Sequence, residues 1–288
     1  MTIQAFELLK PRSLAEASEL LAAHGEDARL IAGGTTLIAL MKQRAVHYPY
    51  LVDLQAISGL DQISKDGEWI RIGALVTHRG VECSPIIRDS VPVVAQAFSK
   101  VGNIRVRQTA SVGGNLAHGD YRLDPPPALL ILGAELVLFG ANGFRTLPIR
   151  EFYRGMYETA LEPSEILVEV KIPPMPERSR AVYLKYSSLS ANDWPCLGVA
   201  VFLSETNGRC QELRLALSGV ANMPLLVRGL DFVREQKLTD LLLEQALSVI
   251  DRQISPVSDF RGSEWYKRRM VRVFVRRAIQ ELEEKLPA

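Results

Sequence analysis

Apolar residues in the first part of the chain switch repeatedly between a helical and a strand spacing. Ser13-Leu14-Ala15-Glu16, just after Pro11, is a capping box, and apolar positions from Ala15 to Ala23 recur at helical intervals. Gly25 is placed to stop that helix. The pattern then predicts a short strand over Arg29 to Ile31, a helix over Leu37 to Lys42 and a buried strand over Tyr50 to Leu54. Alternation in this order predicts a small α/β unit with parallel strands. The Gly33-Gly34 stretch then falls at the carboxyl end of a strand, where such sheets bind ligands.

From about Ser58 to Pro173 the pattern is mixed. Trp69 to Ala74 reads as a strand after a Lys65-Asp66-Gly67 turn. Thr77 is placed to cap a helix through Glu82 and Cys83, and Pro92 to open another over Val93 to Val101, ended by Gly102-Asn103. Two strongly apolar runs follow, Ala128 to Leu132 and Glu135 to Phe139, and Gly140 to Gly143 turns the chain back. Glu165 to Ile172 alternates as a strand and stops at Pro173-Pro174.

Pro173 to Pro176, with the charged Glu177-Arg178-Ser179-Arg180, is the predicted linker. Beyond it, Ala181 to Tyr186, Leu197 to Ser204 and Leu213 to Val220 read as three strands of an antiparallel sheet, with Thr206-Asn207-Gly208 as a turn. Amphipathic helices over Thr239 to Ile250 and Glu264 to Leu286 finish the chain. The fold class is α+β, divided at 1–57, 58–175 and 178–288.

Composition narrows the class of function. At 288 residues, 47% hydrophobic and 23% charged, the chain has the make-up of an ordinary globular protein with a sizeable core. A formal net charge of +1 gives no reason to expect nucleic acid or an anionic membrane as partner. Met1 to Phe6 lacks a basic stretch followed by an apolar core, so no signal peptide is expected. The run from Ala128 to Phe139 is broken by Glu135 and is too short to span a bilayer. Cys83, Cys196 and Cys210 are scattered, which predicts a reducing, cytoplasmic setting without disulfides. They are also too few for an iron–sulfur cluster, which commonly takes about four thiolates.

The candidate chemistry lies in two similar stretches. Ile31-Ala32-Gly33-Gly34-Thr35-Thr36 carries paired glycines and two hydroxyls between apolar segments, and Ala110-Ser111-Val112-Gly113-Gly114-Asn115 repeats the form. Paired glycines accept positive φ and let a ligand lie on the backbone, and successive N–H groups in such a turn make an anion nest. A following helix adds its own N–H groups. Neither stretch is a Walker loop or a G-x-G-x-x-G fingerprint. Either one alone also reads as a tight turn; together they fit two loops facing one diphosphate.

These stretches, the run from Arg107 to Asp124 with its Gly-Gly-Asn-Leu-Ala-His-Gly-Asp core, Gly73-Ala74-Leu75-Val76-Thr77-His78, and Ser263 to Arg268 with Arg276-Arg277 together resemble the FAD-binding medium subunit of the molybdenum hydroxylases. The resemblance spans nearly the whole chain in the family's order. It implies a PCMH-type two-lobed FAD-binding domain, then a three-stranded antiparallel sheet and a helical C-terminal domain. It implies that both Gly-Gly loops bind the FAD diphosphate through backbone N–H groups, and that Asp124 lies near the ribityl chain or ribose. Leu167 is placed on a strand against the polar edge of the isoalloxazine, and Lys185 near the ring. By the same resemblance, partner subunits hold the molybdenum cofactor and [2Fe–2S] clusters, in a dimer of heterotrimers. No catalytic acid–base pair and no metal site are expected on this chain. A stand-alone flavin oxidase or reductase, or a non-catalytic scaffold, are the alternatives.

Other residues admit plainer readings. Asp124 also fits an acid capping the Pro125 turn, Lys185 a solvated strand lysine, and Trp194 either a ring cover or a core residue. Basic residues usually follow the family's lysine, whereas Ser187-Ser188-Leu189 follow Lys185 here. His118 and Asp120 read as supports for the second loop, since two ligands make no metal site. Cys196 reads as a small buried hydrophobe. Arg268, Arg269, Arg272, Arg276 and Arg277 read as a solvated or subunit-facing basic face.

Overall fold

The computed structural model describes residues 3–284. Met1 and Thr2 of the leader reading, and the end of the last predicted helix at Leu286, lie outside the described residues. The chain opens with β1 (Glu7–Leu9), α1 (Leu14–His24), β2 (Ala28–Ile31), α2 (Leu37–Lys42) and β3 (Tyr50–Asp53). Ser13 caps α1 by accepting the Glu16 N–H, and Gly25 ends it at φ 54°. The three strands form a parallel sheet in the order β1-β3-β2, so β2 is an edge strand that delivers Gly33 and Gly34 at its carboxyl end.

The middle of the chain contains β4 (Ile63–Asp66), β5 (Trp69–Gly73), α3 (His78–Cys83), α4 (Pro85–Ser90), α5 (Pro92–Ser99), α6 (Ile104–Thr109), α7 (Val112–His118) and α8 (Pro125–Leu132). It continues through β6 (Glu135–Gly140), β7 (Gly143–Pro148), β8 (Tyr153–Gly155), β9 (Glu158–Thr159) and β10 (Ile166–Ile172). Strands β4, β5, β10, β6 and β7 form an antiparallel sheet in that order. The apolar run at Ala128 to Leu132, which the pattern alone leaves unassigned, is the end of α8. Pro125 starts this helix, Gly133 closes it in the left-handed region, and its residues are buried on every side. That burial places Asp124, one residue before the helix, inside the protein.

The last part folds as β11 (Ser179–Tyr186), β12 (Leu197–Thr206), β13 (Arg209–Ser218), β14 (Leu225–Leu226), α9 (Asp240–Asp251) and α10 (Glu264–Glu284). Two expectations shift here. Ser179 and Arg180 already belong to β11 rather than to a linker, and the sheet has a fourth short strand, β14, paired to β13. The inner face of this sheet packs Tyr183, Ala200, Phe202 and Ala216 into the same core as α5 and α8. Its other face is covered by α9 and α10 through residues such as Val201, Leu215, Leu247 and Val275. The predicted basic face of α10 is partly spent inside the fold: Arg272 bridges Glu244 and Asp251, and Arg276 pairs with Glu244, all on α9.

Candidate functional site

Both glycine pairs line one cleft of about 640 Å³, within the usual size of a small-molecule site. The first stretch leaves β2 and turns at Gly34, whose φ is +65°. Ile38 N–H donates to Gly34 O at 2.9 Å, closing the turn into α2. Among the described residues no acceptor is bonded to the backbone N–H groups from Gly33 to Leu37. Five consecutive donors of this kind make a nest for an anion. The helix behind them is only six residues long, so the turn itself, rather than a long helix dipole, supplies the positive character.

The second stretch is not a loop. Ser111 caps α7, and Gly113 and Gly114 form the helix's first turn. Its donors are used internally: Val112 N–H to Val76 O (2.9 Å), Gly113 N–H to Ala74 O (2.8 Å) and Gly114 N–H to Ser111 Oγ (3.2 Å). Asn115 Oδ1 is buried without a partner in a residue that lines the cleft. The two pairs divide their labour. A Cβ on Gly33 would lie 1.9 Å from Thr109 O, and one on Gly113 would lie 2.6 Å from the Ala74 Cβ, so Gly33 lets β2's turn press against the end of α6 and Gly113 lets α7 pack on the chain after β5. Gly34 and Gly114 meet only side-chain atoms at 3.0 Å or beyond.

The cleft's polar wall is built from distant elements. Asp124 is buried at 4% exposure; its Oδ1 accepts from the Tyr183 hydroxyl at 2.7 Å and its Oδ2 from Lys185 Nζ at 3.0 Å. Burial pushes its pKa up to about 6, outweighing the Lys185 charge and both hydrogen bonds. The side chain makes no cap bond to α8, and Lys185 is not solvated: it donates to Lys100 O at 2.8 Å as well. Asp124 and Leu167 line the cleft; Lys185 stands behind Asp124.

At one side, His118, Tyr157 and Trp194 approach one another, with centroids 5.4 Å apart for His118–Tyr157 and 6.3 Å for His118–Trp194. Asp120 holds Arg122 in a two-oxygen clasp (2.9 and 2.7 Å) and also accepts from the Tyr157 hydroxyl. Arg122 lies 5.5 Å from the Trp194 ring. The pair His118 and Asp120 thus supports an aromatic wall, and no metal-holding cluster occurs among the described residues. Burial lowers the His118 pKa more than Asp120 raises it, so this ring is neutral near pH 7. His78, also lining the cleft, is driven down to about 4 by burial, and its Nε2 lies 3.2 Å from Ser111 O. Cys196 is buried, and burial raises its thiol pKa.

Several of these groups escape any motif. Tyr183, Tyr157 and Arg261 reach the site through contacts tens of residues apart in the chain, such as Tyr183 with Asp124 across 59 positions and Arg261 with Asp193 across 68. Their only signal is that they are polar residues within otherwise apolar or loop segments.

The model for the FAD binding domain in molybdopterin dehydrogenase matches residues 4–175, and that for the CO dehydrogenase flavoprotein C-terminal domain matches residues 182–282. The chain is 33% identical over 276 residues to the carbon monoxide dehydrogenase medium chain of Afipia carboxidovorans, covering 96% of each. Among solved structures it superposes with TM-score 0.94 on a carbon monoxide dehydrogenase from Hydrogenophaga pseudoflava, at 32% identity over 97% of this chain and 98% of that one. With quinoline 2-oxidoreductase from Pseudomonas putida 86 the TM-score is 0.91 at 30% identity, covering 98% of both chains.

Proposed function

We infer the function of this chain from its family: it belongs to the FAD-binding flavoprotein subunits of the molybdopterin dehydrogenases, and so to an oxidoreductase. We propose that it is the electron-transfer subunit of a multi-subunit molybdenum hydroxylase. Its large partner holds the molybdenum cofactor and its small partner the [2Fe–2S] clusters, in a dimer of heterotrimers in the cytoplasm. The subunit receives electrons from the small partner and delivers them to an external acceptor. The division at 1–57, 58–175 and 178–288 follows on this reading, with FAD held between the first two parts and against β11.

Bound FAD supplies one- and two-electron redox chemistry that no side chain of this chain offers. The residues present fit it. The donors from Gly33 to Leu37, with the Thr35 and Thr36 hydroxyls, are suited to the diphosphate. Gly114 leaves room above α7, and the buried Asn115 Oδ1 lacks a donor that a ligand hydroxyl or amine supplies. Asp124 and Leu167 stand where polar and apolar parts of a flavin need partners, and Lys185 fixes the Asp124 carboxylate. His118, Tyr157 and Trp194 form an aromatic wall along one side of the cleft, against which a flat ring can lie.

The observation that carries this reading is the run of unbonded N–H groups in a cleft shared by both glycine pairs. Incubation with FAD followed by gel filtration and absorbance spectroscopy tests it: the chain should retain flavin near one per molecule. A chain left colourless after incubation would favour the scaffold alternative. Robust turnover by the isolated chain would instead favour a stand-alone oxidase or reductase.

A further inference from the structure

Lys267, near the start of α10, is 2% exposed, and nothing in the cofactor reading uses it. Its ammonium donates to Asp259 Oδ1 at 2.9 Å and to Val257 O at 2.8 Å, both in the tight loop that precedes the helix. An apolar side chain of similar volume often replaces such a buried ion without loss of stability, so stability alone does not account for the charge. What the charge does is hold Asp259. The same Asp259 oxygen accepts the Arg261 N–H at 2.9 Å, and Asp259 and Gly262 exchange two backbone hydrogen bonds across the loop. The loop therefore presents the buried Arg261 in one orientation, with its guanidinium on both oxygens of Asp193. Asn192, Asp193 and Trp194 line the cleft. Burial raises the Asp193 carboxyl, but Arg261 and the Trp194 backbone N–H together lower it more. Charges thus alternate in sign from α10 to the rim of the cleft, through Lys267, Asp259, Arg261 and Asp193.

We propose that Lys267 is a positioning residue for the cleft. Through Asp259 and Arg261 it fixes how Asp193 holds the Trp194 backbone, and so where that indole stands. Only the identity of the cleft's occupant rests on the function proposed above. Charged hydrogen bonds in series polarise one another in a low-dielectric interior, so loss of the far link is felt at the near one. Arg122 and His118 face the Trp194 ring, whereas the series from α10 acts on its backbone.

Acrylamide quenching of Trp194 fluorescence tests this in a Trp69→Phe, Trp265→Phe background, which leaves Trp194 as the remaining indole of three. Lys267→Met should raise the quenching constant about twofold as the rim opens more often, and Arg261→Gln should raise it as much. The double variant should be no worse than Arg261→Gln alone, because both act along one series; additive effects would show two independent supports and overturn the assignment. Tyr266→Phe loosens α10 from β11 by removing the hydroxyl that meets Tyr186, yet it touches no link of the series. It should leave Trp194 as in wild type, and a rise equal to that of Lys267→Met would reduce Lys267 to a general structural role. Where Lys267→Met does not fold, Asp259→Asn keeps the acceptor for the Arg261 N–H, removes only the charge, and should give the same rise. Unchanged quenching in whichever of these two variants folds would refute the proposal. The measurement is made without cofactor, so a wild type that fails to retain FAD counts against the proposed function and leaves Lys267 to its own test.

Discussion

Tyr183 donates its phenolic proton to Asp124 Oδ1 at 2.7 Å, while Lys185, two residues further along the same strand, holds the other oxygen at 3.0 Å. One strand thus clamps a carboxylate at the start of a helix from the neighbouring lobe. Asp124→Asn keeps the shape but removes the charge that balances a buried ammonium, leaving Lys185 with the Lys100 carbonyl as its acceptor. Breaking a buried pair in this way costs about 3–5 kcal/mol. Urea denaturation at pH 7 should show a loss of that order, and a loss below about 1 kcal/mol would mean that the pair contributes little net stability.

The same residue sets a pH signature that His78 conceals. Asp124 has its pKa raised from 3.8 to about 6, so its contribution to stability is fully present below 3.8 and is lost as pH rises through 6. His78 has its pKa lowered from 6.5 to about 4, so its contribution is present above 6.5 and is lost as pH falls through 4. Between about pH 4 and 6 the folded protein carries an extra proton on one group and lacks one on the other, and the two slopes cancel. Relative to wild type, Asp124→Asn should therefore become less stable on acidification across this window. His78→Gln should become less stable as pH rises across it. Each slope approaches about 1.4 kcal/mol per pH unit. Denaturant titrations from pH 4 to 6.5 read both, and parallel curves for all three proteins would refute the opposed pair.

Arg261 ties the site to the C-terminal part. Its side chain is 6% exposed and donates to both oxygens of Asp193 at 3.0 and 3.1 Å, next to Trp194 in the aromatic wall. Its Nη1 has no partner, so part of the burial cost is already present in wild type. Arg261→Ala should cost about 1.5–3 kcal/mol and free the segment from Asn192 to Trp194. Hydrogen exchange should quicken there and stay unchanged in α8; equal protection of the segment in both proteins would show that Asp193 is held by other means.

Local pattern carried the elements well because caps, breakers and periodicity act over a few residues. Ser13, Thr77 and Thr239 each cap the helix that follows them, whereas Asn103, read as the end of the preceding helix, caps the unpredicted α6. The second Gly-Gly stretch misled for a local reason too: Ser111 caps it, so a sequence that looks like an open turn closes into a helix. The apolar run before Gly133 was ambiguous because a buried helix and a buried strand share its composition. In the site, glycines and hydroxyls were legible as motifs, whereas the burial of Lys185 was not. Its environment comes from Lys100 and Asp124, 85 and 61 positions away.

The glycines separate architecture from binding, and a comparison within each pair makes that separation measurable. A methyl on Gly33 or Gly113 collides with the other lobe's backbone or with Ala74, at distances no repacking of flexible side chains relieves. Gly33→Ala and Gly113→Ala should therefore destabilise the protein by about 1–3 kcal/mol, with flavin content falling only as the fold does. Gly114 is different: it sits in the first turn of a helix, and its added methyl meets only Ser111 Oγ at 3.0 Å. Alanine gains up to about 1 kcal/mol over glycine in a helix, which offsets the crowding of the Ser111 cap, so Gly114→Ala should fold with a stability within about 1 kcal/mol of wild type. A branched side chain there projects into the space offered to a cofactor, so Gly114→Val should fold and lose FAD. Gly34→Val adds strain at positive φ and fills the nest, so it should lose FAD at some cost in stability. Far-ultraviolet circular dichroism with flavin absorbance separates the classes, and normal flavin content in a folded Gly34→Val, Gly114→Val double variant would place the diphosphate elsewhere.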